Sequence, residues 1–346
     1  MAFRAALARR ARATLVRGRG GVLFQAIMTR AKTRLVLGTR GSALALTQSA
    51  LVREALAARG HSVSVEVIQT TGDRDQATAL SRIGGKGLFT RELDLALLEG
   101  RIDFAVHSLK DLPTDPEPGL ALASVPERED SRDVLIGPAG RPDRTTLHGL
   151  RRGARVGTSS LRRRALALAF RPDWEVDNIR GNLDTRITKV DRGEWDAIIV
   201  AAAGIRRLGL WSRVGEALER TAWLAAPGQG ALGLLTHADD QGTRSALDTL
   251  DHPPSRIAVL AERALLAALG GGCQTPIGAL GLPWDGGLRL WALVASTDGT
   301  RVVRGDLTGR LEDPDGLGRA LAELLERRGA TELLQQHEPA PPLSHP

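Results

Sequence analysis

Three stretches set reactive side chains where chemistry could be done. LGGGCQTPIG, Leu269 to Gly278, holds Cys273, the only cysteine in 346 residues, directly behind three glycines. A lone cysteine is commonly a small buried hydrophobe. The glycines before it and the Gln-Thr-Pro after it describe an accessible loop instead. None of the seven histidines lies near it in sequence, so neither a catalytic dyad nor a metal site is indicated. An accessible thiol without a local base suggests a point of covalent attachment. HSLKDLPT, His107 to Thr114, puts Lys110 and Asp111 just past the apolar run IDFAVHS, where open α/β sheets place their ligands. The same letters also fit an ordinary polar turn before Pro113.

GTSSLRRR, Gly157 to Arg164, sets small hydrogen-bonding residues at a strand end and arginines in the first turn of a helix. The helix dipole disfavours cations there, so these arginines ask for a nearby anion, a carboxylate or a phosphate. An exposed basic helix face is the other reading. Arg40 in GTRGS, Arg180 and Arg186 in IRGNLDTR and Arg207 in IRRLGL repeat the theme, and guanidinium forks suit planar carboxylates. GQGALG, Gly228 to Gly233, matches a dinucleotide fingerprint in letters, but it follows AAP without a strand-to-helix context. GGKGLF, Gly84 to Phe89, lacks the spacing of a phosphate loop and reads as a mobile loop carrying one cation, Lys86.

These residues need elements to position them. RLVLG, from Arg34, reads as a strand, and Ser42 caps a helix running to Gly60. SVSVEVIQ alternates with period two, RELDLALLEG is helical, and IDFAVHS is a buried strand. The cycle restarts with ARVGTSS, a helix through Leu161 and Leu168, and an apolar strand over Asp196 to Gly204. This alternation predicts two parallel α/β units. After HPPS, His252 to Ser255, read as a linker, LRLWALVAS and RVVRGDLTG flank a Thr297–Thr300 turn as an antiparallel hairpin. A helix striped by Leu317, Leu321, Leu324 and Leu325 closes a small α+β unit that carries Cys273.

Composition narrows the function classes. A single cysteine excludes an internal disulfide and points to a reducing compartment, the cytoplasm. The net charge of +7 sits in the first 34 residues, which hold nine Lys/Arg and no acid; the remainder carries 38 Lys/Arg against 40 Asp/Glu. With only 3% aromatics, a nucleic-acid binder is poorly supported. Three readings fit the basic leader: a bacterial extension or false start with translation beginning at Met28, an organellar transit peptide, or a working basic arm. No stretch reaches the ~18 apolar residues of a membrane span.

GTRGSALAL, GGKGLF, VHSLKDLPT, GTSSLRR, IRGNLDTR, GQGALG and GGGCQTPIG, in that order across roughly residues 35–335, resemble the porphobilinogen deaminase (hydroxymethylbilane synthase) family. The resemblance implies two α/β domains similar to periplasmic binding proteins plus a small C-terminal α+β domain. Domain one comprises 33–127 and 228–250, domain two 128–227 and domain three 253–336, between a basic extension (1–32) and a disordered tail (337–346). It implies a transferase of tetrapyrrole (haem) biosynthesis that joins four porphobilinogens head to tail into hydroxymethylbilane, with loss of four ammonia molecules. Cys273 then carries a dipyrromethane cofactor through a thioether, held by Lys86, Ser108, Lys110, Thr158, Ser160, Arg162 and Arg163. Arg40, Ser42, Arg180, Arg186 and Arg207 bind substrate, and Asp111 is the catalytic carboxylate.

The resemblance further implies a metal-free cytoplasmic monomer that passes its product to uroporphyrinogen III synthase, with no nucleic-acid or membrane partner. Arg82, Leu235 and Gly270 depart from the family pattern, where lysine, an acidic residue and glutamate are usual, and bear on loop packing. The competing reading is a non-enzymatic anion-binding module, which needs the arginines but has no use for Asp111 or Cys273.

Overall fold

The computed structural model describes residues 32–70, 90–140, 142–272 and 274–335. Its first sheet contains β1 (Arg34–Thr39), β2 (Ser62–Val67), β3 (Phe104–Ser108), β4 (Leu120–Ser124) and β10 (Leu232–His237), in the order β2-β1-β3-β10-β4. The second contains β5 (Asp133–Ile136), β6 (Arg155–Gly157), β7 (Glu175–Asp177), β8 (Ala197–Ala201) and β9 (Val214–Ala217), in the order β7-β6-β8-β5-β9. Both sheets are mixed, not parallel as the alternation predicts. β10 runs antiparallel to β3 and β4, and β5 runs antiparallel to β8 and β9. The odd strand is in each case the one reached by the chain crossing from the other lobe. No covering helix returns it to the common starting edge, so it enters from the opposite end.

Helices α1 (Ala43–Ala57) and α2 (Arg91–Leu98) belong to the first lobe, and α3 (Leu161–Phe170), α4 (Leu183–Asp191) and α5 (Ala202–Arg207) to the second; α6 (Gln241–Asp248) follows β10. α5 begins three residues inside the stretch expected to remain strand through Gly204. Ala202 and Ala203 are strong helix formers, whereas the β-branched residues of the run end at Val200. HPPS is not a linker: His252 is the N-cap of α7 (Pro253–Ala268), and both prolines sit in its first turn, where a missing N–H costs nothing.

The third unit is a meander of β11 (Ile277–Trp284), β12 (Gly287–Ala295) and β13 (Val302–Gly309), covered by α7, α8 (Pro314–Arg327) and α9 (Ala330–Gln335). The β12–β13 hairpin lies where the sequence places it. β11 escaped notice because its glycines and proline interrupt the alternation; it joins β12 through Asp285 and Gly286, both at positive φ. Leu317, Leu321 and Leu325 are buried against Leu265, Leu290 and Ala292. The unit also shares core with both lobes, since Leu280 and Leu293 join Trp223 and Leu224, and Val259 joins Leu97 and Leu109. Leu235 is fully buried in β10, which gives its departure from the family pattern an apolar neighbourhood.

One buried carboxylate ties the two crossings to the third unit. Glu262 of α7 accepts a bidentate pair from Arg128 (2.6 and 3.0 Å) and backbone N–H bonds from Gly228 (2.6 Å) and Gly281 (2.8 Å). Gly228 and Gly230 have φ of +75° and +90°, and a Cβ on Gly230 would lie 2.4 Å from the Glu129 carbonyl oxygen. Gly228 and Gly230 of GQGALG therefore serve the crossing into β10.

Candidate functional site

The two lobes face each other across a cleft assembled from strand ends. β3 ends at Ser108 and passes into a single 3-10 turn, Leu109–Asp111, that projects Lys110 and Asp111. Beside it, β1 ends at Thr39, followed by Arg40 and by Ser42, whose hydroxyl caps α1 by accepting from the Ala45 N–H (3.3 Å). From the second lobe, Ser160 caps α3, and the Thr158 hydroxyl accepts from the Ser160 N–H (3.2 Å).

Two adjoining cavities occupy the cleft. One, of 270 Å³, is lined by Arg40, Ser42, Lys110, Asp111, Arg163, Arg180 and Arg186, among others. The second, of 230 Å³, is again lined by Lys110, Asp111, Arg163 and Arg186, with Ser160, Arg162 and Gln229. It ends at Gly272 and Thr275, on either side of Cys273 in sequence. Four residues thus form the shared wall, and Asp111 is its only carboxylate.

The walls are strongly cationic. Burial pushes the Lys110 ammonium down to about 8, assisted by Arg163 and Arg162 and opposed by Asp111 and Asp133. Burial, with repulsion from Arg163 and Arg180, lowers Arg186 to about 10, which leaves it charged at neutral pH. Its Nε donates to the Gly181 carbonyl (2.8 Å), and Lys189 holds the Arg180 carbonyl (3.2 Å), so the IRGN turn is fixed from two sides.

The anion demanded by the first-turn arginines of α3 is part of the chain itself. Asp133, completely buried at the head of β5, accepts from Arg162 Nη1 (2.8 Å), Arg163 Nε (3.0 Å) and Nη2 (2.8 Å), Trp223 Nε1 (3.0 Å) and Gln229 Nε2 (2.8 Å). Burial alone would raise its titration; the two arginines outweigh that and hold the carboxyl far below the usual range. Sequence reading missed Asp133, although the signal was present in SRDVLI, a charge heading an apolar strand, together with two cations short of an anion. One positive charge of the triad remains uncompensated, and Arg162 Nε is buried without a partner among the described residues.

Not every expected residue reaches the cleft cavities. Ser108 accepts from Gln48 Nε2 (3.0 Å), and Thr158 is buried; neither lines the two cavities. Arg207 donates to the Gly230 carbonyl (2.7 Å) and lines a separate cavity of 490 Å³ beside Arg128 and Glu129. Lys86, Arg82 and Cys273 lie outside the described residues, as do residues 1–31 of the basic extension and the tail; Lys32, the last residue of the extension, is described and bridges Asp103 (2.6 Å) and Asp240 (2.7 Å). Among the described residues no group of His, Cys, Asp or Glu could hold a metal, and no helix is long and apolar enough to cross a membrane.

The donor set suits a ligand bearing several carboxylates: guanidinium groups, an ammonium and two capping serines line two adjoining chambers, with one carboxylate in the wall they share. This defines a two-lobed α/β protein with a cation-lined cleft that reaches Gly272 and Thr275. Sequence comparison gives the class its family. The family model described as "Porphobilinogen deaminase, dipyromethane cofactor binding domain" matches residues 35–245, and its C-terminal domain matches 256–327. The chain is 49% identical over 305 residues to the porphobilinogen deaminase of Desulforudis audaxviator, covering 88% of this chain and 97% of that protein. It is 46% identical over 308 residues to that of Geobacter sulfurreducens, with 88% and 95% covered. The chain belongs to the porphobilinogen deaminase family. Among solved structures, it is similar to the VFT2 domain of Bordetella pertussis BvgS, at 15% identity and a TM-score of 0.40, covering 63% of this chain and 86% of that one.

Proposed function

We propose that the chain is a porphobilinogen deaminase that joins four porphobilinogen molecules head to tail on a dipyrromethane primer carried by Cys273, releasing four ammonia molecules, and frees the product as hydroxymethylbilane with uptake of one water. The observation that carries this reading is the pair of cation-lined cavities meeting at Asp111, one of which ends beside residue 273. The residues fit the cofactor: a dipyrromethane bears four carboxylates, and the chamber beside the cysteine loop offers Arg162, Arg163, Arg186, Lys110 and Ser160. When bound, it would supply the free pyrrole position to which the first substrate is joined, each later one joining the ring added before it.

The chain's own groups divide the remaining work. Arg40, Ser42, Arg180 and Arg186 orient the acetate and propionate of incoming porphobilinogen. The Asp111 carboxylate stabilises the positive charge that develops on the substrate's aminomethyl carbon as ammonia departs, and it relays a proton to the leaving amine. Lys86, Ser108 and Thr158 complete the cofactor set, and Arg207 the substrate set, on the motif match alone. The domain boundaries at 127/128, 227/228 and 250–253 belong to the same proposal, supported by the sheet to which each strand belongs. So do a cytoplasmic location, a monomeric state and delivery of product to uroporphyrinogen III synthase; one chain lining both cavities and a lone cysteine favour the first two.

Intact mass of the purified protein tests the proposal. Two linked pyrroles should appear on Cys273, be absent from Cys273→Ala, and colour with Ehrlich's aldehyde reagent, while porphobilinogen is converted to product that cyclises and oxidises to porphyrin. An unmodified mass in a fully active preparation, or no product from the modified protein, overturns it.

A further inference from the structure

Gln229, inside the GQGALG stretch, is 1% exposed, and its carboxamide takes part in five hydrogen bonds. Its Nε2 donates to Asp133 Oδ1 (2.8 Å) and to the carbonyls of Ser131 (2.8 Å) and Arg132 (3.2 Å). These three acceptors fix which end of the amide is which, because a carbonyl oxygen in that position would meet only other acceptors. Oε1 must then point the opposite way, where it accepts from Arg163 Nη2 (3.1 Å) and Lys110 Nζ (3.3 Å). Both donors belong to the wall common to the two cavities, next to Asp111.

We propose that Asp133 and Gln229 act as one positioning unit, in which the buried carboxylate orients the carboxamide and the carboxamide oxygen fixes the Lys110 ammonium and the Arg163 guanidinium beside Asp111. The proposal rests on the deaminase reading for its consequence in turnover but not for its geometry. Asp133 never meets substrate; it acts through a neutral amide that conveys its orientation without adding a negative charge to a cleft that must hold carboxylates. Charged groups that act on Lys110 include Asp111 on its own turn, Arg162 and Arg163 of α3 and Asp133 of β5.

The chain has only four lysines, Lys32, Lys86, Lys110 and Lys189, so [ε-13C]lysine NMR on the full-length protein gives four signals, and Lys110→Arg assigns one. In Gln229→Met, which keeps length but removes the acceptor, Lys110 should titrate lower than in the parent by roughly 1–2 pH units, the worth of one hydrogen bond to a cation. Ehrlich colour should persist, kcat should fall ~10–10²-fold, and KM should change far less. If the Met variant does not fold, Gln229→Asn, one methylene too short to span Asp133 and Lys110, serves in its place with the same expectation. An unmoved Lys110 titration with parental kcat overturns the positioning role while leaving the deaminase reading intact. A parent protein that makes no hydroxymethylbilane overturns that reading, and the NMR titration then judges the geometry alone.

Discussion

The two lobes share a strand order and differ in what they place at equivalent points. β2, β1, β3, β10 and β4 of the first correspond to β7, β6, β8, β5 and β9 of the second, with the same parallel and antiparallel pairings. In each lobe a serine caps the helix after the second strand in that order, Ser42 and Ser160. Two and three residues past the cap stand Leu44 and Ala45 in the first lobe, but Arg162 and Arg163 in the second. The odd strand opens with Leu232 opposite Ser108 in the first and with Asp133 opposite Ala201 in the second. The third strand ends in the Lys110–Asp111 turn in one case and runs straight into the alanines of α5 in the other. One scaffold thus supplies the Asp111 carboxylate to which the proposal assigns catalysis, the other a buried arginine pair with its internal counter-charge, and both contribute cations to the cavity walls.

The largest effect should come from erasing what the first lobe alone has. Asp111→Asn keeps size and hydrogen-bonding capacity but cannot carry a negative charge or relay a proton, so turnover should fall ~10²–10⁴-fold with the fold and the cofactor retained. Porphyrin formed from porphobilinogen measures it, and a near-parental rate would remove Asp111 from the mechanism.

Making the second lobe like the first should be nearly as costly, through stability. Asp133→Leu leaves two buried guanidinium groups without their counter-ion, a loss of about 3–5 kcal/mol in urea unfolding. Adding Arg162→Met and Arg163→Met converts the whole triad to apolar groups of similar volume, and most of that stability should return, because replacing a buried ion cluster is often neutral. The repaired protein should carry no Ehrlich-positive cofactor. If Asp133→Leu unfolds like the parent, the triad is not the keystone of its lobe.

How much of this could be read beforehand follows the range of each interaction. Ser42 as a cap, the strand ends at Ser108 and Gly157 and the β12–β13 hairpin are local, written in periodicity and turn chemistry over a few residues. Asp133 is 29 and 30 residues from the arginines it holds and 96 from Gln229, separations that no window spans. The mixed sheets share this cause, since nothing local in LGLLTH says that it enters from the opposite lobe. The mistaken linker at HPPS arose from reading prolines only as breakers, when the first turn of a helix tolerates them.

The triad also sets an acid limit. Asp133 titrates far lower in the fold than the ~3.9 of an unfolded aspartate, so between those points the unfolded chain binds the extra proton and stability rises with pH. This contribution is complete above about pH 5 and is lost as the pH falls through 4 and below. Urea unfolding at a series of pH values from 3 to 7 should show a steeper acid loss in the parent than in the Asp133/Arg162/Arg163 triple variant. Parallel curves would mean that the acid sensitivity arises elsewhere.

The smallest effect concerns the first lobe's own half-buried carboxylate, which has been pushed the other way. Asp94 of α2 lines a cavity of 570 Å³ beneath the loop that follows Asp111, where Arg263 holds the carbonyls of Leu112, Pro113 and Thr114 (3.2, 2.5 and 3.0 Å). Burial raises it to about 6, and repulsion from Glu117 and Glu92 adds to that. The helix dipole favours a carboxylate near the start of α2, but the direction of the shift shows that burial and repulsion win. Here the folded chain binds the extra proton, so stability falls as pH rises from about 4 to about 6 and then levels off. Asp94→Asn cannot ionise and should escape that loss. Its Tm should match the parent at pH 4 and exceed it at pH 8 by up to about 3 °C, with turnover unchanged because the side chain is outside the cleft cavities. A variant less stable than the parent at pH 8 would show that the charge is favourable where it sits, and that the two lobes do not treat their buried carboxylates in opposite ways.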